Sequence, residues 1–176
     1  PGPVADKIKP RVKETAKFLW IIYVGITLAE MIALRIAGME TFDAICHAFT
    51  TMPTGGFSTK NASIAHYNSP MIHYIIILFM FLAGINFSLH FKAINGDIKI
   101  YFKDKEFLVY LFIIFFVSLI ILLTLSYRTN TFSDVSIRES LFGTIAILTG
   151  TGYVLGNYEI WPIFLQMILL VLMFIG

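Results

Sequence analysis

Apolar residues fall in blocks along this chain, and polar residues separate the blocks. Four blocks stand out, at residues 16–37, 71–91, 107–126 and 161–176. The third runs from Phe107 to Ser126 without a charge. About 20 such residues, rising about 1.5 Å each in a helix, cross a hydrocarbon core roughly 30 Å thick. The pattern predicts membrane-spanning helices rather than the one-sided apolar stripe of a soluble helix. The first block also holds Glu30 and Arg35. A carboxyl at membrane depth is a functional candidate, and it equally suits a helix contact or a watery crevice. Asn86 and Ser88, in the second block, are expected to bond between helices.

The connections alternate in character. The leader carries Lys7, Lys9, Arg11, Lys13 and Lys17, and the link after the second block carries Lys92, Lys99, Lys103 and Lys105. The other two long connections hold only Lys60, Arg128 and Arg138. Positive charge gathers on the cytoplasmic side, so residues 1–15 and the second link are placed there and the two charge-poor connections face outward. Nothing in the leader resembles a cleavable signal peptide. The opening Pro1-Gly2-Pro3 and an end inside an apolar run read as the limits of an excerpt.

Each outward connection contains a stretch too apolar for a solvated loop and too short to span. These are residues 43–51 and 139–148, each beginning with an acid, Asp43 or Glu139, that suits a helix N-terminus. Both lead into a glycine-rich turn, TGGFS at 54–58 and GTGYV at 150–154. An offset of 96 aligns Gly56 with Gly152, Phe57 with Tyr153 and Asp43 with Glu139, while Pro70 and Pro162, before the next apolar block, differ by 92. The chain therefore reads as an internal repeat of span, half-helix, glycine turn, span. The expected units are 16–97, with spans 16–37 and 71–91, and 98–176, with span 107–126 and a further span from 161.

Irregular backbone at membrane depth is tolerated where it lines a watery path. Carbonyls converging on that path can replace the water around a cation. Glycine permits the backbone conformations this needs, and neither turn contains a carboxylate. The backbones of Thr54, Gly55, Gly56, Phe57, Gly150, Thr151, Gly152 and Tyr153 are thus the candidate ion-binding groups. Two glycine turns taken singly would be unremarkable structural features; their repetition in the same order gives the pore reading its weight.

Composition agrees. Of 176 residues, 57% are apolar and 14% charged, against about 45–50% and about 25% in soluble domains. The formal charge of +2 is small, so nucleic acid is not an expected partner. The single cysteine, Cys46, excludes an internal disulfide. His47, His66, His73 and His90 include no pair at i,i+4 spacing, and a catalytic metal or acid–base set is not expected. His47 reads as a packing or hydrogen-bonding residue of the first half-helix. A membrane enzyme and a purely structural scaffold are the competing classes, and neither requires two half-helices ending in glycine turns.

At these residues the chain resembles the Trk/Ktr/HKT potassium transporters, most closely the bacterial Trk-type pore subunit. The resemblance rests on FDAICHAFTTMPTGGFST at 42–59, LTGTGY at 148–153 and YEIWP at 158–162, with KETAK at 13–17 and INFSLH at 85–90. It implies an all-α integral membrane fold of span–re-entrant pore loop–span units with a voltage-gated-channel-like pore. Four such units surround one pore in the family, and this chain resembles the second and most of the third. It further implies K⁺ as the ion held at Gly56 and Gly152, an inner-membrane location, a homodimer, a cytoplasmic nucleotide-binding regulatory subunit that the 97–106 stretch could touch, and a gating loop near Gly176. Relatives that conduct Na⁺ or both ions replace a filter glycine with serine, whereas both glycines here are intact. Val154 stands where a glycine or small polar residue is frequent.

Overall fold

The computed structural model describes residues 8–176, and side chains from residue 14 onward except that of Thr129. The expected leader therefore lies partly outside the described residues: Pro1, Gly2, Pro3 and Lys7 altogether, and Lys9, Arg11 and Lys13 in their side chains.

Among the described residues all regular structure is helical. Helix α1 spans Ile8–Ile36 and α6 spans Lys105–Thr129. Both are long and apolar enough to cross a membrane. Asp104 starts α6 by accepting a 2.9 Å hydrogen bond from the Phe107 N–H, and left-handed Asn130 ends it. Two shorter helices follow these, α2 at Thr41–Thr51 and α7 at Asp134–Leu148, and their 11 and 15 residues are too few to span. Each begins a few residues before the stretch expected from sequence. Helix α3, Pro70–Ala83, opens with proline in its first turn, and α8, Ile163–Ile175, follows Pro162.

The apolar block 71–91 reads as one span, but the chain breaks there. Helix α3 stops at Ala83, and α4, Phe87–Ile94, leaves it at 96°. Local packing explains the elbow. At Gly84 an added Cβ would lie 2.6 Å from the Tyr110 hydroxyl and 2.7 Å from the Thr149 methyl. Asn86 then caps α4, its side chain accepting from the Ser88 N–H at 3.0 Å. Asn86 and Ser88 thus make a local cap, not the expected bond between helices. The short helix α5, Ile100–Lys103, connects the elbow to α6 within the lysine-rich link.

Helix α7 sits at the centre, packed on α3, α6 and α8, while α2 lies between α1 and α3. Leu34, Ile76, Met80, Ile121, Phe142 and Leu165 meet in a continuous buried core. Outward-facing Trp20, Phe112, Phe115, Phe164 and Met167 are exposed, as on a surface bathed in lipid. The arrangement packs α2 and α7 among α1, α3, α6 and α8, and each of the two leads into a glycine turn.

Candidate functional site

The two turns are built on the same hydrogen bonds. In the first, the N–H groups of Thr54 and Gly56 donate to the carbonyls of Thr51 and Thr50 at 2.9 and 3.1 Å. In the second, Gly150 and Gly152 donate to Ile147 and Ala146 at 3.1 and 2.9 Å. Every member of the second set lies 96 residues after its counterpart. The dihedral angles repeat as well. Thr54 and Gly56 have φ of 54° and 64°, and Gly150 and Gly152 both have 72°. Ordinary L residues in an extended strand throw successive groups to opposite sides. A left-handed residue at every second position turns successive carbonyls toward one side, a conformation glycine reaches without steric cost. Thr54 adopts it at a cost of about 1–2 kcal/mol.

The two turns also adjoin. A Cβ placed on Gly56 would fall on the Thr151 carbonyl. Beyond the turns, the Val154 carbonyl accepts from the Ala65 N–H at 3.1 Å, and the Val154 N–H donates to the Ser63 hydroxyl at 3.2 Å. The outermost carbonyl of the second turn is therefore stitched to the loop that follows the first.

Behind the turns lies a buried polar layer. Tyr153 is only 1% exposed and inserts its ring against α2. Its hydroxyl lies 2.6 Å from Thr50 Oγ1 and 3.2 Å from the His47 carbonyl. Phe57, its counterpart, is 76% exposed. The His47 ring is 2.7 Å from the Asp43 carbonyl through Nδ1 and 2.9 Å from the Ser58 hydroxyl through Nε2. A carbonyl can only accept, so Nδ1 carries the proton and Nε2 accepts from Ser58. Burial pushes the imidazole pKa down, in keeping with this neutral ring.

The two acids aligned by the repeat differ in place and setting: Asp43 lies in the first turn of α2, whereas Glu139, expected to begin its helix, lies in the second turn of α7, whose first turn carries Asp134. Asp43 is 3% exposed and accepts from Thr59 Oγ1 at 2.7 Å, Tyr67 Oη at 2.8 Å and Lys60 Nζ at 3.0 Å. Burial opposes its ionisation, but these donors outweigh burial and hold the carboxyl at about 2. Glu139 is half-buried against Gly156, and burial pushes its pKa up despite the neighbouring Arg138 charge. Arg138 itself clasps two elements. It donates to Asp134 at 2.7 Å and to His73 Nδ1 at 2.8 Å, while His73 Nε2 donates to the Tyr67 carbonyl at 2.6 Å. Tyr74 completes the group with a 2.6 Å bond to Asp134.

All eight sequence-predicted backbone groups are thus in the two adjoining turns. Glu30 is fully buried beside Thr51 and near Tyr153, at the edge of this polar layer; neither carboxyl oxygen makes a hydrogen bond of good geometry, and neither reaches Arg35. Among the described residues no three His, Cys, Asp or Glu side chains converge as a metal site would require. Sequence reasoning missed Thr50, Lys60 and the Arg138–His73 clasp. The positions of Thr50 and Lys60, just before and just after a glycine turn, were the available signal; the 65-residue separation of the clasp offered none.

Comparison with known proteins agrees with this geometry. The family described as "TrkH: Cation transport protein" matches residues 3–176. The Trk system potassium uptake protein TrkH of Escherichia coli K12 is 41% identical over 180 residues, covering all of this chain and 37% of that protein. TrkG of the same organism is 33% identical over 180 residues, again covering all of this chain and 37% of the relative. The crystal structure of the potassium transporter TrkH from Vibrio parahaemolyticus superposes with a TM-score of 0.87 at 39% identity, over 93% of this chain and 36% of that one. The chain thus spans little more than a third of the length of the relatives it matches. With a family match over residues 3–176 and a TM-score of 0.87 to that structure, this chain belongs to the TrkH cation transport protein family.

Proposed function

We propose that this chain contributes two filter strands to the potassium-conducting pore of a multi-pass membrane protein. One observation carries the reading: left-handed residues at 54 and 56 recur at 150 and 152 with the same hydrogen bonds to the preceding half-helix. The transported K⁺ exchanges hydration water for carbonyls along Thr54, Gly55, Gly56 and Phe57 and along Gly150, Thr151, Gly152 and Tyr153, centred on Gly56 and Gly152. The C-terminal ends of α2 and α7 turn their partial negative charge toward the same place. Neither glycine turn contains a carboxylate, so selectivity falls to backbone dipoles and geometry.

The units in this reading are 16–97 and 98–176, with filters at 54–58 and 150–154 and residues 1–15 as a cytoplasmic leader. The names of the relatives supply potassium uptake as the activity, and the intact glycines favour K⁺ over Na⁺. The complete protein would act as a homodimer in the cell membrane, under a cytoplasmic nucleotide-binding regulatory subunit.

The test is radiolabelled rubidium uptake into vesicles containing the full-length parent protein. Potassium should compete at far lower concentration than sodium. Equal competition would replace this reading with a sodium or mixed conductor, and absence of flux would remove transport altogether.

A further inference from the structure

Thr50 sits where four polar groups converge. Its Oγ1 lies 2.6 Å from the Tyr153 hydroxyl, 2.8 Å from the Phe57 carbonyl, 3.0 Å from the Cys46 carbonyl and 3.2 Å from the His47 carbonyl. A hydroxyl has one proton to give, and carbonyls can only accept. The one neighbour able to donate to Thr50 is therefore Tyr153, and the nearest carbonyl to receive the Thr50 proton is that of Phe57. With the Thr50 proton on the Phe57 carbonyl, the 2.6 Å contact takes the Tyr153 proton in preference to the His47 carbonyl at 3.2 Å, and the bonds run from Tyr153 in the second repeat to Thr50 in α2 to the Phe57 backbone in the first turn.

We propose that Thr50 is a positioning residue of the filter, relaying a hydrogen bond from Tyr153 to Phe57 and thereby turning the Phe57 carbonyl toward α2. The proposal rests on the pore reading and refines it. It departs from that reading at one residue: the Phe57 carbonyl, counted above among the ion-facing groups, is engaged from behind by Thr50, so the run free to face an ion in the first repeat ends at Gly56. Thr50 contributes to selectivity by fixing where that run ends.

The repeat supplies an internal contrast. At the offset of 96 the counterpart of Thr50 is Ala146, that of Thr51 is Ile147, and that of Tyr153 is Phe57. None of the three has a hydroxyl. The relay therefore belongs to the seam between these two repeats and cannot be rebuilt from the corresponding residues elsewhere in the chain. Thr51 does not replace Thr50. Its hydroxyl donates to the His47 carbonyl at 2.8 Å and lies 3.3 Å from Tyr153.

The experiment uses the full-length protein with Thr50→Ser, Thr50→Val, Tyr153→Phe and the Thr50→Val/Tyr153→Phe pair. Two readouts are taken: the ratio of sodium to potassium flux in vesicles, and thermal unfolding in detergent. Serine keeps the hydroxyl, so its flux ratio should stay within about twofold of wild type, whereas valine should raise the ratio about five- to tenfold. Tyr153→Phe should raise it less. The pair should be no worse than valine alone, because Tyr153 acts through Thr50. A valine variant that discriminates like wild type while unfolding at lower temperature would reduce Thr50 to a structural tie and overturn the proposal. Additive effects of the two substitutions on unfolding would overturn the relay itself. That second readout needs no flux, so it judges the relay even if wild type fails to discriminate and the potassium reading falls. Should valine prevent folding, wild-type behaviour of Tyr153→Phe in both readouts would count against the relay.

Discussion

The two repeats share a backbone plan and differ in how it is anchored. In the first, the acid at the start of the short helix is buried, paired with Lys60 and bonded to Thr59 and Tyr67, so the loop after the turn is tied down by its own repeat. In the second, the equivalent Glu139 pairs with none of these groups, and the helix is held by Arg138 reaching His73 in the first repeat. Of the aromatic pair, Tyr153 is buried against its neighbour's helix, whereas Phe57 meets no such helix within these two repeats. Symmetry therefore extends to the backbone of the turns and stops at the side chains that brace them. A turn of this kind is completed by the repeat beside it, and a fault in one brace should be felt across the seam.

The largest effect expected from testing this comparison is at the glycines. A side chain on Gly56 meets both a left-handed backbone and the Thr151 carbonyl of the repeat beside it, whereas within these two repeats one on Gly152 meets the left-handed backbone alone. In the full-length protein Gly56→Ala should reduce potassium flux about a hundredfold and Gly152→Ala about tenfold. Equal losses, measured at matched expression, would show that the two strands are not crowded differently.

The acids come next, and they should respond with opposite signs. Asp43 ionises at about 2 in the folded protein, below its ordinary value of about 4. Its contribution is complete above that ordinary value and is lost as pH falls from about 4 to about 2. Asp43→Asn should lower stability at neutral pH by about 1–3 kcal/mol and flatten the acid limb of the unfolding temperature against pH. Glu139 has a raised pKa, so it favours the folded state when protonated and loses that contribution as pH rises through the folded value. Glu139→Gln should leave neutral-pH stability unchanged or raise it by less than about 1 kcal/mol. Parallel losses in the two variants would contradict the division between the repeats.

The smallest effect is at Thr54, which adopts the left-handed conformation that glycine supplies at the matching position 150. Thr54→Gly removes that strain, loses the 2.7 Å bond from the Thr54 hydroxyl to the Pro53 carbonyl and adds flexibility to the unfolded chain. A net gain of up to about 1 kcal/mol is expected in thermal unfolding. A clear loss would mean that the threonine side chain supports the turn.

What could be read from the residues follows from how local the causes are. The long helices announce themselves by uninterrupted apolar runs, and the short ones by an acid, an apolar stretch and a glycine turn repeated at a fixed spacing. The elbow at Gly84 was hidden because both arms are apolar and a lone glycine seldom breaks a helix. Only its contact with Tyr110 and Thr149 reveals why the chain must turn. The left-handed threonine ran against conformational preference, which would have assigned that geometry to glycine alone. The Thr50 hub and the Arg138 clasp depend on residues brought together from distant parts of the chain.

The elbow has a mechanical consequence. Its apex bears directly on Thr149, the residue before the first left-handed glycine of the second turn, with no space for even one more carbon. Helix α4 beyond it leads along the chain into the lysine-rich link. Swinging that arm would press its fulcrum against the foot of the neighbouring turn, so a displacement of α4 would reach that turn across a single van der Waals contact.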